Sequence, residues 1–304
     1  MRTWLGVDIG GTSCKLAAVR EDGSVYGQQE YPVSFDGYAT PIIDTVTRAI
    51  REFLVEHPDE FTAIGCSASG QIDTASGTVI GTAGHIRNYI GSNFKQRFEE
   101  EFHLATTVVN DANCMILAEQ WIGNARGMHD VVGITIGTGV GGGIIVNDEI
   151  LLGSSGIAGE VGHMIIHASG EKCSCGNQGC YERYASTTAL LRRAAEVTGD
   201  SSLTGRDLFR MAQQGNGAVL AILTDWEKDI ASGLISLVHI FNPECIIIGG
   251  GVSTQEDLLI RPVEEMVRAR IMPRFNDNLK IRRALLGNDA GMVGAVYYCM
   301  RHTA

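Results

Sequence analysis

One carboxylate and one cluster of soft metal ligands have neighbours that would let them do chemistry. Asp111 lies in Val108-Val109-Asn110-Asp111-Ala112-Asn113, where an apolar run ends in an amide and a carboxylate just ahead of a helical pattern. Two roles are open to it. It could cap the helix. It could instead accept the proton of an attacking hydroxyl that Asn110 orients, as a general base does in phosphoryl transfer. The cluster is His163-x9-Cys173-x-Cys175-x4-Cys180. Four such ligands in a short stretch suit a closed, structural zinc site with no position left for a reacting water. Gly170, Gly176 and Gly179 supply the bends for wrapping a metal. The alternative is a set of unliganded thiols. A redox pair fits less well, because the spacing is C-x-C rather than C-x-x-C. Glu160 and Glu182 flank the cluster; each is a surface charge or an acceptor for one hydroxyl of a vicinal diol.

Two glycine-rich turns echo one another. Gly6-Val7-Asp8-Ile9-Gly10-Gly11-Thr12 resembles Gly133-Ile134-Thr135-Ile136-Gly137-Thr138-Gly139. Each runs from a buried strand through a Gly/Thr turn into a second strand. Converging backbone N–H groups at such a turn can hold phosphates, and glycine permits the close approach. Asp8, at the strand end, could hold magnesium directly or through water. Neither turn is a Walker loop or a dinucleotide fingerprint, since no Gly-Lys-Ser/Thr follows and strand rather than helix comes next. Taken alone, each is also compatible with an ordinary tight hairpin. A third glycine site, Gly249-Gly250-Gly251, follows the apolar run 245–248 and precedes a helix, where an adenosine could lie on backbone.

The elements needed to position these groups can be read from periodicity. Strands are expected at 3–8, 14–20 and 25–31, with a turn at Glu21-Asp22-Gly23. Thr40 is expected to cap a helix with Pro41 in its first position and Ile43, Val46, Ile50, Phe53 and Leu54 as its apolar stripe, ended by Pro58. Strands at 63–67 and 106–109 and a helix at 113–121 complete the first half. In the second half, strands are expected at 131–136, 143–146, 245–248 and 279–285. Helices are expected at 187–197, ended by Gly199; 206–214, capped by Thr204; 219–241; 255–268; and from Asp289, as cap, to about 300.

The chain has 304 residues, enough for two domains and a substantial core without staples. A formal net charge of −11 argues against electrostatic binding to nucleic acid or an anionic membrane. The start is broken by a charge and does not read as a signal peptide, and no apolar run is long enough to span a bilayer, so the cytosol is the expected compartment. There, crowded cysteines suggest metal rather than disulfides. Cys14, Cys66, Cys114, Cys245 and Cys299 sit among apolar residues and read as buried thiols.

Taken in order, these motifs, with Ser69-Gly70-Gln71-Ile72-Asp73 between the first turn and Asp111, resemble the ROK family of sugar kinases within the actin-like/hexokinase superfamily. The resemblance covers essentially the full length. It implies an α/β fold of two actin-like (ribonuclease H-like) α/β domains with an interdomain cleft and a structural zinc knot. The smaller domain would be 1–118, completed by the helix 289–304, and the larger 119–288. Asp8, Gly10, Gly11, Thr12, Thr138 and Gly139 would hold ATP phosphates and Mg2+, and Gly249, Gly250 and Gly251 would lie near adenosine. Gly70, Asn88, Asn110, Asp111, Glu160, His163 and Glu182 would line the sugar pocket, with Asp111 the base. His163, Cys173, Cys175 and Cys180 would bind Zn2+. The implied activity is ATP-dependent phosphorylation of a sugar hydroxyl, the 6-hydroxyl of glucose or a related hexose first. A β-glucoside or N-acetylmannosamine and a non-catalytic sugar sensor stand as alternatives. A repressor of the group would need a DNA-binding segment ahead of Asp8, where only seven residues stand. A homo-oligomer, dimer or tetramer, is also implied. Two departures are visible. Many glucose-phosphorylating members carry an Asn-Leu-Pro-Gly-Trp-like segment; here it reads Asn88-Tyr89-Ile90-Gly91-Ser92-Asn93-Phe94, without Pro or Trp, which leaves the sugar open. Ser13 stands where lysine is frequent.

Overall fold

In the computed structural model, residues 2–58, 60–81 and 86–303 are described. In chain order the first part contains β1 (Thr3–Ile9), β2 (Ser13–Arg20), β3 (Val25–Pro32), α1 (Ile42–Glu56), β4 (Phe61–Ala68), β5 (Gln71–Asp73), β6 (Thr78–Gly81), α2 (Phe94–Phe102), β7 (Thr106–Asn110) and α3 (Asp111–Trp121). β1 is buried along its length except at Asp8, the pattern of a strand covered on both faces. It pairs antiparallel with β2 and parallel with β4, giving the sheet order β3-β2-β1-β4-β7. Parallel pairing brings the C-terminal ends of β1, β4 and β7 to one edge, and with them Asp8, Ser67 and Asn110.

The second part repeats this plan with β8 (Val131–Ile136), β9 (Val140–Val146), β10 (Glu149–Ile150), α4 (Glu182–Ala185), α5 (Thr187–Thr198), α6 (Gly205–Gln213), α7 (Gly217–Phe241), β11 (Cys245–Gly249), α8 (Arg261–Arg268), β12 (Lys280–Arg283) and α9 (Ala290–His302). β8 pairs antiparallel with β9 and parallel with β11, and the order is β10-β9-β8-β11-β12. The echo between the two glycine turns is therefore an echo of whole sheets. Met1–Gly127, Ile150–Ala158 and Leu286–Ala304 form one compact unit; Met128–Glu149 and Gly159–Leu285 form the other. In the first unit α9 packs on α3, β4 and β1. In the second, α7 places Leu223, Trp226, Ile230, Leu234 and Leu237 in the core. No helix among the described residues is long and apolar enough to cross a membrane.

Several helix ends depart from the sequence expectation. Thr40 does not cap α1. Its N–H and hydroxyl both donate to Asp36 Oδ2, at 2.9 and 2.6 Å, so its oxygen is turned away and Pro41 stands at the cap position. Asp289 makes no side-chain cap, because a 3-10 turn, Gly287–Asp289, already leads into α9. The expected helix 255–268 is two pieces: a π turn, Glu256–Ile260, then α8. The Ile260 N–H reaches back five residues to the Gln255 carbonyl at 3.2 Å. Pro262, which has no N–H, follows at the start of α8, where it is tolerated. Thr204 does cap α6 through a reciprocal box with Asp207, and Gly199, at φ 73°, ends α5.

Candidate active site

The helix cap at the end of β7 is Asn110, not Asp111. Asn110 Oδ1 accepts from the N–H groups of Ala112 (2.9 Å) and Asn113 (3.3 Å), and its Nδ2 donates to the Gly70 carbonyl at 2.9 Å. α3 consequently begins at Asp111, two residues earlier than periodicity suggests. The Asp111 carboxylate is exposed, on the first turn of the helix, where the helix dipole favours negative charge. Its Oδ1 accepts from the Ala112 N–H at 2.8 Å, and its Oδ2 accepts from the Ser69 hydroxyl at 3.0 Å.

Three further sets of hydrogen bonds hold the neighbouring groups of the first unit. Ser67 donates to Asp8 Oδ1 at 2.7 Å. The Tyr89 hydroxyl donates to the Ser69 carbonyl at 3.1 Å, Asn88 Nδ2 to the Tyr38 carbonyl at 3.5 Å, and the Tyr38 hydroxyl to the Gly11 carbonyl at 2.8 Å. Burial pushes the Asp8 carboxyl above the usual aspartate range; the Ser67 hydrogen bond opposes this, and the nearby Asp111 charge adds to it. A buried carboxylate whose ionisation is made costlier by a second carboxylate fits a divalent cation, and Mg2+ is the ion an ATP-dependent kinase implies. Gly291, in the first turn of α9, completes the enclosure: a Cβ there would stand 2.5 Å from the Asp8 carboxylate. Ser67, Tyr38, Tyr89 and Gly291 were not singled out from sequence. The hydroxyls on alternate residues 67 and 69, at a strand end beside the Asp8 strand, are the signal that could have found Ser67.

The second unit groups the remaining residues. The Gly137-Thr138-Gly139 turn joins β8 to β9, and Glu182 Oε2 lies 2.8 Å from where a Cβ on Gly139 would stand. Gly250, at φ 91°, is pressed against the Ile136 carbonyl oxygen, which a side chain would overlap. The triple glycine thus abuts the turn from a neighbouring strand. Glu160 is exposed, and its carbonyl accepts from the His163 N–H at 3.0 Å in a 3-10 turn.

His163, Cys173, Cys175 and Cys180 converge, with one ligand atom from each within 4.8 Å of the others. Cys173 Sγ is 3.7 Å from His163 Nδ1, and Cys175 Sγ is 3.5 Å from Cys180 Sγ. A tetrahedron with Zn–S of about 2.3 Å and Zn–N of about 2.0 Å has edges of about 3.5–3.8 Å. The donor set therefore fits zinc. Backbone bonds hold the wrap, from Cys173 N–H to the Asn177 carbonyl (2.7 Å) and from Gly179 N–H to the Glu171 carbonyl (2.7 Å). Glu182 Oε1 lies 3.2 Å from Cys173 Sγ and 3.9 Å from His163 Nδ1, so one carboxylate touches both the Cys/His cluster and the glycine turn.

Comparison with known proteins agrees with this architecture. The ROK family profile matches residues 4–302. A glucokinase of Halalkalibacterium halodurans is 34% identical, over 96% of this chain and 93% of that protein. A beta-glucoside kinase of Listeria monocytogenes is 32% identical, over 97% and 96% respectively. The crystal structure of a ROK family glucokinase from Streptomyces griseus, in complex with glucose and AMPPNP, superposes with a TM-score of 0.81 at 30% identity, covering 96% of this chain and 97% of that one. The chain belongs to the ROK family, and it is a sugar kinase of that family.

Proposed function

We propose that the chain transfers the γ-phosphoryl group of ATP to the 6-hydroxyl of glucose or a related hexose, with Asp111 as the base. The observation that carries this reading is the division of labour at the end of β7. Asn110 takes the helix cap and the Gly70 carbonyl, which leaves the exposed Asp111 carboxylate, steadied by Ser69, to meet a substrate hydroxyl. Asp111 accepts the hydroxyl proton as the oxygen attacks the terminal phosphorus, and the bond from that phosphorus to the ADP oxygen breaks. Gly70, Asn88, Asn110, Glu160, His163 and Glu182 bind and orient the sugar. Gly10, Gly11, Thr12, Thr138 and Gly139 offer donors to the phosphates, and Gly249, Gly250 and Gly251 make room for adenosine. Asp8 would hold Mg2+, which offsets phosphate charge when bound. His163, Cys173, Cys175 and Cys180 would hold a structural Zn2+ that keeps His163 and Glu182 in place.

The near-equal likeness to a glucokinase and a beta-glucoside kinase favours a second reading in which a β-glucoside is the acceptor. The loop at 88–94, without Pro or Trp, is where the two would differ. A cytosolic homo-oligomer is the expected form, and sedimentation velocity reads its size. The test of function is ADP release over glucose, mannose, fructose, N-acetylmannosamine, N-acetylglucosamine, allose and cellobiose. Turnover best with glucose supports the first reading, and turnover best with cellobiose replaces it with the second. Binding of a sugar without any turnover would mean a sensor.

A further inference from the structure

A peptide group is rigid, so the carbonyl of one residue and the N–H of the next lie in one plane and point opposite ways. Holding the carbonyl from behind therefore aims the N–H in front. In the first turn the Gly10 N–H is used internally, donating to the Ser13 carbonyl at 2.9 Å. The Thr12 carbonyl accepts from Val33 at 2.9 Å. Between them lies the Gly11–Thr12 peptide, next to two glycines whose backbones rotate at little steric cost. Its carbonyl is held by the Tyr38 hydroxyl at 2.8 Å. Tyr38 is itself well placed: its ring packs against the core of the first unit, and its carbonyl accepts from Asn88.

The second turn has the same arrangement built from different residues. Gly137 N–H donates to the Gly139 carbonyl at 3.0 Å, and Thr187 N–H donates to the Gly137 carbonyl at 2.9 Å. The Thr138 carbonyl accepts from the Thr188 hydroxyl at 2.8 Å, which fixes the plane of the Thr138–Gly139 peptide. Neither the Thr12 N–H nor the Gly139 N–H is taken up by another described residue.

We infer that Tyr38 and Thr188 are positioning residues, whose hydroxyls aim the Thr12 and Gly139 N–H groups at the nucleotide phosphates. This rests on reading both turns as phosphate sites. Tyr38→Phe and Thr188→Val remove only the hydroxyls, and Thr188→Ser restores one. Calorimetry with ATP on the full chain, with the sugar KM and the melting temperature measured alongside, separates aiming from general support. Each of the first two variants should weaken ATP binding about 2- to 10-fold, the value of one ordinary hydrogen bond. The losses should multiply in the double variant, because each hydroxyl holds a different peptide. Sugar KM and melting temperature should stay as in the unaltered protein, and Thr188→Ser should bind ATP normally. Unchanged ATP affinity in both single variants overturns the inference. So does a rise in sugar KM as large as the loss of ATP affinity. If the unaltered protein binds no ATP, the phosphate reading of the turns fails, and the aiming role with it.

Discussion

The two glycine turns share a topology and differ in what stands beside them. At the penultimate position of β1 is Asp8, half-buried, and at the matching position of β8 is Thr135. The first turn adjoins two carboxylates, Asp8 and Asp111, and is supported by side chains on loops, Tyr38 and Ser69. The second has no carboxylate on its strand and is supported from behind by α5, by Gly250 and by Glu182 at the Cys/His cluster. One sheet plan thus carries two different sets of neighbouring groups. Acidic groups suit a cation and a reacting hydroxyl, whereas crowded backbone and glycine suit a flat nucleotide.

The sharpest way to break this contrast is Asp111→Asn. Turnover should fall by about 10²–10⁴ in the ADP-release assay while the protein stays folded by circular dichroism. Retention of near-normal turnover would remove the chemistry from the first unit. Next is Cys175→Ala. Elemental analysis should show zinc falling from about one ion per chain to near none, with sugar KM rising on the order of 10-fold as His163 and Glu182 lose their support. Full zinc content in this variant would leave the knot without that role.

A smaller effect separates the two neighbours at the end of β7. Asn110→Ala should destabilise the protein by about 0.5–2 kcal/mol through the lost cap, measured by urea unfolding. Asp111→Asn should shift stability by no more than about 0.5 kcal/mol. Equal losses would mean that capping is shared. The smallest effects are in pH. Burial pushes Asp8 above its ordinary value and pushes Glu227, on α7 of the second unit, up to about 7. A carboxyl whose folded pKa is raised takes up protons more readily in the fold. It therefore withdraws stability as pH rises from its unfolded value to its folded one, for Glu227 from about 4.5 to about 7. In the absence of divalent cation, Asp8→Asn and Glu227→Gln should each raise the melting temperature at pH 8 relative to pH 5, compared with the unaltered chain. Only Asp8→Asn should also abolish turnover.

Much of this was legible in residues that must satisfy local rules. The turns were readable as turns because glycine clusters between two apolar runs favour a chain reversal. The convergence of His163, Cys173, Cys175 and Cys180 was readable because four soft ligands in so short a stretch, with glycines at its bends, suit one closed site. Thr204 and Gly199 announced helix ends correctly because capping is settled within one turn of chain. Thr40 and Asp289 misled for the complementary reason. A competing acceptor, Asp36, and a preceding 3-10 turn changed what their oxygens could reach. The break before α8 was not anticipated: a single helix 255–268 was expected, and the π turn depends on a bond to Gln255 that residue types do not specify.

The sequence by itself determined which groups are present: an acid beside an amide after a strand, two glycine turns, and a Cys/His cluster with flanking carboxylates. Their types and spacings are short-range facts, and short-range sterics and hydrogen bonding act on them directly. Only the tertiary structure decided which of Asn110 and Asp111 is the cap, that Ser67 and Ser69 hold the two aspartates, and that Tyr38 and Thr188 stand behind the two turns. Those pairings join residues far apart in the chain: Ser67 to Asp8, Ser69 to Asp111, Tyr38 to Gly11 and Thr188 to Thr138. Parallel strand pairing and helix packing bring them within hydrogen-bond reach, and no local rule specifies which distant partner will arrive.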